Sequence, residues 1–169
     1  MNGNESRPTG SGFIGVAVAI VIWALCLYLQ RRLPLPQMHL SSGWRWGVGL
    51  LFLADGLGTF IWSAITLVKA SRENRLASSG PYALVRHPMY GAVLWSGTAA
   101  VAFFFQSWMV LLGAVPLHLS WVWLVQKEEA ELKHRFGDAY RRYAEETGQF
   151  LPRLASLKKV AQGPRNLDG

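Results

Sequence analysis

The sequence predicts an all-α fold, a polytopic membrane bundle of about four transmembrane helices with a cytosolic helical extension at its C-terminal end. Charged residues make up only 16% of the 169 residues, and they avoid three long runs. Residues 13–29 and 88–126 hold no charged residue, and residues 46–68 hold only Asp55. About 20 apolar residues cross a bilayer as a helix, and roughly twice that number forms a helical hairpin. The three runs therefore predict four spans, whereas a soluble bundle would need a polar face on helices that show no charged one.

The first two helices are predicted within residues 13–70. Residues 1–12, which precede them, are rich in Gly, Ser and Asn and are expected to be disordered. The first span covers about residues 13–30, because the Leu-Pro-Leu-Pro that follows two arginines cannot continue a helix. Trp46 marks a membrane interface, and the second span runs from there to about Lys69.

A second helical pair is predicted within residues 71–153. The third span covers residues 89–105, and the polar pair at 106–107 is the turn that leads into the fourth. Pro116 lies inside that fourth span, where it removes a backbone hydrogen bond and is expected to kink the helix.

The helical pattern continues past the fourth span into the cytosol. Charged residues replace apolar ones over residues 126–136, until Gly137 provides a C-cap. A short helix is expected over residues 138–146, with Tyr140 and Tyr143 on one face. Residues 154–169 are expected to form a disordered tail.

The distribution of basic residues predicts the topology. With four spans, 14 of the 17 Lys and Arg residues fall on one side of the membrane, which places both termini in the cytoplasm. The net charge of +7 then reflects topology and attraction to anionic lipid, because no nucleic-acid-binding motif is present. The single Cys26 has no disulfide partner and no metal-ligand spacing around it, and no metal site is expected.

Two polar clusters flank the predicted hairpin of the third and fourth spans. The first is Gly-Pro-Tyr-Ala-Leu-Val-Arg-His-Pro-Met-Tyr at 80–90, and the second is Lys-Glu-Glu-Ala-Glu at 127–131. An antiparallel hairpin brings its two ends together, so both clusters are expected to lie close to each other on the cytoplasmic face.

These clusters carry a specific resemblance. Gly-Pro-Tyr at 80–82, Arg-His-Pro-Met-Tyr-Gly at 86–91, Glu-Glu at 128–129 and Phe-Gly at 136–137, followed by two tyrosines, resemble the isoprenylcysteine carboxyl methyltransferase family. That family belongs with phospholipid N-methyltransferases in a wider group of membrane methyltransferases, and the resemblance covers roughly residues 74–152.

The resemblance implies an integral membrane methyltransferase that uses S-adenosyl-L-methionine and a lipophilic acceptor. It implies that the cofactor is bound by Asn74, Arg75, Leu76, Ala77, Tyr82, His87, Pro88, Met89, Tyr90, Glu128 and Glu129. The Glu128 carboxylate is a natural partner for the cofactor's ammonium group or ribose hydroxyls. Arg86 is the candidate for binding substrate, and no catalytic base is assigned.

Each of these residues could instead have an ordinary structural role in a membrane protein. Arg86 could bind lipid phosphate, His87 could be a solvated interfacial residue, and the two glutamates could form a solvated helix face. The two candidate tyrosines could be aromatic-belt anchors. Asp55, near the middle of a span, is expected to be paired structurally, and His118 is expected to be a packing residue.

One position departs from the family and bears on the acceptor. Leu124 stands where eukaryotic carboxyl methyltransferases of this type have an Arg that helps with substrate, one turn before Glu128. A prenylated carboxylate is therefore not the expected substrate. Phospholipid N-methylation, a non-catalytic membrane scaffold and a sterol-reductase-like activity remain as alternatives.

Overall fold

The structure, a computed structural model, describes residues 11–161, with side chains for residues 12–157. The described part is helical, and its only β pairing is one isolated parallel bridge between Val85 and Gly148. The all-α membrane fold predicted from the sequence is thus confirmed. The predicted disorder of residues 1–10 and 162–169 lies outside the described residues.

Seven helices follow one another along the described chain. Their bounds are α1 Ser11–Arg32, α2 Ser42–Arg72, α3 Pro88–Phe104, α4 Trp108–Leu112, α5 Ala114–Leu124, α6 Gln126–Glu146 and α7 Leu154–Ala161. A 3₁₀ turn, Gly80–Ala83, lies between α2 and α3. The tail predicted to be disordered after Arg153 therefore begins with a helix, whose Ser156 is buried and bonded to the Arg153 carbonyl.

Three stretches are long and apolar enough to cross a membrane. They are α1, α2 and the nearly continuous Trp108–Glu146 formed by α4, α5 and α6. Helix α3 is also apolar but is shorter than these three. At about 1.5 Å per residue, α3 is close to the minimum length of a membrane-spanning helix, so the count of four spans stays a prediction.

Helix α1 packs closely against the hairpin formed by α3, α4 and α5. A Cβ atom on Gly15 would lie 2.1 Å from the ring of Trp121, so only glycine lets this indole lie against α1. Trp121 is completely buried, together with Leu94 and Leu117. Full burial of large apolar side chains contributes roughly 1.5 to 3 kcal/mol each, and this cluster lies directly beneath the polar ends of the hairpin.

Polar side chains tie down the turn between α3 and α4. The Ser107 hydroxyl donates to the Gln30 side-chain oxygen and caps α4 by accepting from the Val110 amide at 3.2 Å. The Gln106 amide group donates to the Leu40 carbonyl at 2.8 Å, and Gln106 has a positive φ of 52°. The turn predicted at residues 106–107 is confirmed.

Irregular backbone marks both helices of the hairpin. Residues Ala92–Gly97 within α3 form a π-helical turn. In the second helix of the hairpin, Gly113 is the interruption that separates α4 from α5. Pro116 lacks the N–H that would donate to Leu112, which accounts for the interruption one turn before it. Helix α6 bends at Gly137, where φ is 53° and ψ is −126°. This bend agrees with the predicted helix break.

Candidate functional site

The segment before α3 pairs with the segment after α6. The Arg86 amide donates to the Gly148 carbonyl at 2.8 Å, and the His87 amide donates to the Gln149 carbonyl at 3.0 Å. Pro88 is buried at the first turn of α3, where its missing N–H costs nothing. The returning chain therefore holds the 80–90 segment against α6.

Arg86 is bound on several sides by protein groups. Its Nε donates to Glu129 Oε1 at 2.9 Å, and its Nη1 donates to the carbonyls of Ala144 at 3.0 Å and Thr147 at 2.6 Å. Those carbonyls lie at the C-terminal end of α6, where a cation is favoured by the helix dipole. The structure thus gives Arg86 a positioning role, while its predicted contact with substrate stays a prediction.

Glu129 collects three side-chain donors on one oxygen. His87 Nε2 and Gln149 Nε2 each lie 3.1 Å from Oε1, in addition to Arg86. Burial by itself raises the pKa of Glu129. The hydrogen bonds from His87 and Arg86, together with the Arg86 charge, outweigh burial and lower the pKa to about 2. The carboxylate is therefore charged at neutral pH, and it anchors the 80–90 segment to α6.

A cavity of about 140 Å³ lies beside this network, between the end of α2, the 75–90 segment and α6. Nine of the predicted site residues line it: Arg75, Leu76, Ala77, Tyr82, Arg86, His87, Met89, Tyr90 and Glu128. Three others, Asn74, Pro88 and Glu129, are not among the lining residues. The chain thus brings both predicted clusters to one cavity.

Glu128 and Tyr90 define the acidic wall of the cavity. The Tyr90 hydroxyl donates to Glu128 Oε2 at 3.1 Å, and His87 Nδ1 lies 3.9 Å from Glu128 Oε1. The Tyr90 ring stacks on Trp121, with centroids 4.4 Å apart, and on His87 at 5.6 Å. These ring contacts fix the phenol, so the Glu128 carboxylate is held at a defined place in the wall.

Two tyrosines from the second half of α6 form the facing wall. The Tyr143 hydroxyl donates to the Tyr82 carbonyl at 2.7 Å, which ties α6 to the 3₁₀ turn. Tyr140 is buried, and its hydroxyl oxygen has no hydrogen-bond partner of normal geometry among the described residues. Both side chains reach the cavity because α6 changes direction at Gly137.

Seven lining residues were not predicted as site residues: Phe136, Tyr140 and Tyr143, which the sequence analysis named only as part of the motif, and four that it missed entirely, Leu67, Ser71, Leu132 and Arg135. Leu132 and Arg135 follow Glu128 by four and seven residues, and helical neighbours at these spacings share a face. Leu67 and Ser71 are likewise four residues apart at the end of α2. Helical spacing from Glu128 could therefore have predicted Leu132 and Arg135 as lining residues. Asn74 lies outside the cavity and accepts from Arg135 Nη2 at 2.5 Å.

The remaining polar residues of the spans lie elsewhere. The Ser96 hydroxyl donates to Asp55 Oδ2 at 2.6 Å, which confirms a structural partner for this carboxyl group. His118 packs against Trp95 and Phe150, and its Nδ1 has no partner among the described residues. Within residues 11–161, no cluster of three His, Cys, Asp or Glu side chains could hold a metal ion.

The fold and the cavity define a membrane protein with a cavity at the polar end of an apolar helical hairpin. Comparison with known families adds the chemistry: the model of the phospholipid methyltransferase family matches residues 45–139, more than half of the chain. The chain belongs to this family, which is related to the isoprenylcysteine carboxyl methyltransferases that its motifs resemble. No curated protein and no solved structure matches the chain. Family and fold together support a membrane methyltransferase.

Proposed function

We propose that this protein is an integral membrane methyltransferase that transfers the methyl group of S-adenosylmethionine to a lipophilic acceptor. The observation that carries the proposal is the single cavity that joins the 75–90 segment to Glu128 at the end of the apolar hairpin. A water-soluble cofactor and a lipid-borne acceptor can meet only at such a boundary between cytosol and bilayer.

The lining residues fit the chemistry of the cofactor. S-adenosylmethionine carries a sulfonium and an ammonium group, and Glu128 supplies a carboxylate of opposite charge. The aromatic rings of Tyr82, Tyr90 and Phe136 also line the cavity, and aromatic faces attract cations. Apolar side chains such as Leu76 complete the wall and suit a nucleoside.

The cavity must widen to admit a molecule of this size. Its volume of about 140 Å³ is below the roughly 300 to 1,000 Å³ of sites for drug-sized ligands. Arg75 and Arg135 are exposed lining side chains, paired with Glu73 and Asn74 on the surface. Such surface contacts are weak, so these two side chains can move outward at little cost.

Bound S-adenosylmethionine supplies an activated methyl group on its sulfonium, so the protein mainly has to align and desolvate the reactants. Glu128 and Tyr90 orient the cationic end, while the Arg86–Glu129 ion pair keeps the 80–90 segment in place. Leu67 and Leu132 provide an apolar wall beside the bilayer for the acceptor. A carboxylate acceptor needs no base, whereas an amine must release a proton.

Phospholipid N-methylation is the second candidate, and the match to the phospholipid methyltransferase family supports it. Carboxyl methylation of the isoprenylcysteine type is disfavoured by Leu124, which stands one helical turn before Glu128 where those enzymes have an Arg. Transfer of a labelled methyl group distinguishes the two, with phosphatidylethanolamine offered against a short prenylated cysteine. A membrane scaffold would bind neither cofactor nor acceptor.

The first test is calorimetric binding of S-adenosylmethionine to the purified protein in detergent. We expect Glu128→Gln to weaken binding by about 10- to 100-fold, because a charge-assisted contact contributes roughly 1.5 to 3 kcal/mol. Glu131→Gln is the matched control, since Glu131 is exposed on the same helix and does not line the cavity. A folded wild type that binds no cofactor would overturn the proposal.

A further inference from the structure

The hydroxyl of Tyr140 lacks a hydrogen-bond partner in a place where water is largely excluded. The side chain is only 4% exposed, it lines the cavity, and no described residue accepts the proton of its hydroxyl group. Leaving a buried hydroxyl unpaired costs roughly 1 to 3 kcal/mol. Buried polar groups in folded proteins usually have partners, so an orphaned one in a cavity wall points to a ligand group that completes it.

Two other cavity tyrosines have hydroxyls that donate to protein groups. Tyr143, one turn further along α6, donates to the Tyr82 carbonyl at 2.7 Å. Tyr90 donates to Glu128 at 3.1 Å. These two hydroxyls already hold the walls together, whereas the buried Tyr140 hydroxyl keeps its proton available to a bound molecule.

The surroundings of Tyr140 favour a neutral donor. The pKa of Tyr140 is raised to about 12, mainly by burial and also by the Glu129 charge, while the charge of the nearby Arg86 guanidinium and its contact with the phenol oxygen lower it in part. The phenol therefore keeps its proton at neutral pH and donates it to an acceptor. Arg86 adds a positive charge close to this donor, which favours an anionic acceptor over a neutral one.

The cavity thus offers two complementary features near each other, a carboxylate at Glu128 and a donor backed by a cation at Tyr140. The amino-acid end of S-adenosylmethionine presents the matching pair, an ammonium and a carboxylate on one carbon. We propose that Tyr140 binds the carboxylate of this amino-acid end while Glu128 takes the ammonium. The inference rests on the proposed function and assigns the polar walls of the same site.

The test compares three ligands that differ at this end. S-adenosylmethionine has both charged groups, its decarboxylated form keeps the ammonium and the sulfonium, and 5′-methylthioadenosine lacks the ammonium, the carboxylate and the sulfonium charge. Affinities for wild type, Tyr140→Phe and Glu128→Gln are measured by calorimetry in detergent. Tyr28→Phe is the matched control, because Tyr28 lies exposed on α1 and does not line the cavity.

We expect Tyr140→Phe to weaken S-adenosylmethionine about tenfold and to change the affinity of its decarboxylated form less than twofold. Glu128→Gln is expected to weaken both compounds and to spare 5′-methylthioadenosine. Without ligand, Tyr140→Phe is expected to unfold at the same temperature as wild type or higher, because it removes an unpaired buried hydroxyl.

The two proposals fail in different ways. Equal weakening of S-adenosylmethionine and its decarboxylated form by Tyr140→Phe, or no weakening of either, would overturn the Tyr140 assignment and leave the methyltransferase intact. Absence of binding of all three compounds to folded wild type would overturn the proposed function and this assignment together.

Discussion

Arg86 and Glu129 lie 43 residues apart in the sequence and form an ion pair, with Nε 2.9 Å from Oε1. Their side chains are 11% and 23% exposed, so the pair is largely removed from water. The contact joins the segment before α3 to the first turn of α6. It therefore closes the polar end of the apolar hairpin, where the cavity lies.

We expect the loss of this ion pair to destabilise the protein. Glu129→Gln leaves a neutral acceptor for the Arg86 guanidinium, and breaking a buried pair costs about 3 to 5 kcal/mol, less where the side chains are partly exposed. The apparent unfolding temperature in detergent should fall by roughly 5 to 10 °C, measured by intrinsic fluorescence.

The control for this prediction is an exposed ion pair on the same helix. Arg141 and Asp138 are 60% and 81% exposed, and such pairs contribute about 0 to 1 kcal/mol. Arg141→Gln should leave the unfolding temperature within about 2 °C. Equal shifts for both variants would show that Glu129 contributes no more than a surface charge.

Acid should weaken the same network. Glu129 has a pKa of about 2 in the folded protein, below its ordinary value of 4.5, so its stabilising contribution is complete above about pH 4.5. As the pH falls from 4.5 toward 2, the folded state loses this contribution. We expect a smaller drop in unfolding temperature over this range for Glu129→Gln than for wild type, and parallel curves would contradict the assignment.

The bend at Gly137 should be sensitive to any side chain. Its φ of 53° with ψ of −126° is accessible to glycine and strained for other residues, so Gly137→Ala is expected to cost about 1 to 3 kcal/mol. The variant should also weaken S-adenosylmethionine binding, because Tyr140 and Tyr143 follow the bend into the cavity.

Gly58→Ala is the matched glycine control. A Cβ atom at Gly58 would meet no heavy atom within 4 Å, and the residue lies inside α2. We expect no loss of stability, and a gain of up to about 1 kcal/mol from helix propensity. If Gly137→Ala matches this control in stability and in affinity for S-adenosylmethionine, the bend does not require glycine.

The Asp55–Ser96 hydrogen bond should support packing without affecting the cavity. Ser96→Ala leaves a carboxyl group within the membrane without its donor, which is expected to cost about 1 to 3 kcal/mol in unfolding experiments. Affinity for S-adenosylmethionine should change less than twofold, since neither residue lines the cavity.

Ser120→Ala serves as the control for that loss. The Ser120 hydroxyl bonds only within its own helix, to the Pro116 carbonyl at 2.8 Å, so its removal should have little effect. A large drop in cofactor affinity for folded Ser96→Ala would instead assign the Asp55 pair to function.

Much of the fold follows from local chemistry in the sequence. Uncharged runs predicted the apolar helices, and the turn at residues 106–107 and the break at Gly137 lie where their residues predicted them. The bounds were less accurate: α2 extends to Arg72, and a helix begins at Leu154. Helix ends depend on packing, as the buried Ser156 shows, and the hydrophobic pattern alone does not contain that information.

The residues of the candidate site could be predicted only in part from the sequence. Nine of the twelve predicted residues line the cavity, because both motifs flank one antiparallel hairpin. Leu67 and Ser71 come from the end of α2, which the sequence does not connect to the hairpin. Their approach depends on how α2 packs against α3, a contact between helices distant in sequence.

The sequence by itself determined a membrane helical protein whose methyltransferase motifs lie at the polar end of a hairpin. The tertiary structure decided which side chains face the cavity. Glu128 and Glu129 are chemically alike, but successive residues of a helix point about 100° apart. Glu128 therefore lines the cavity, while Glu129 turns toward Arg86 and His87 and anchors the 80–90 segment to α6.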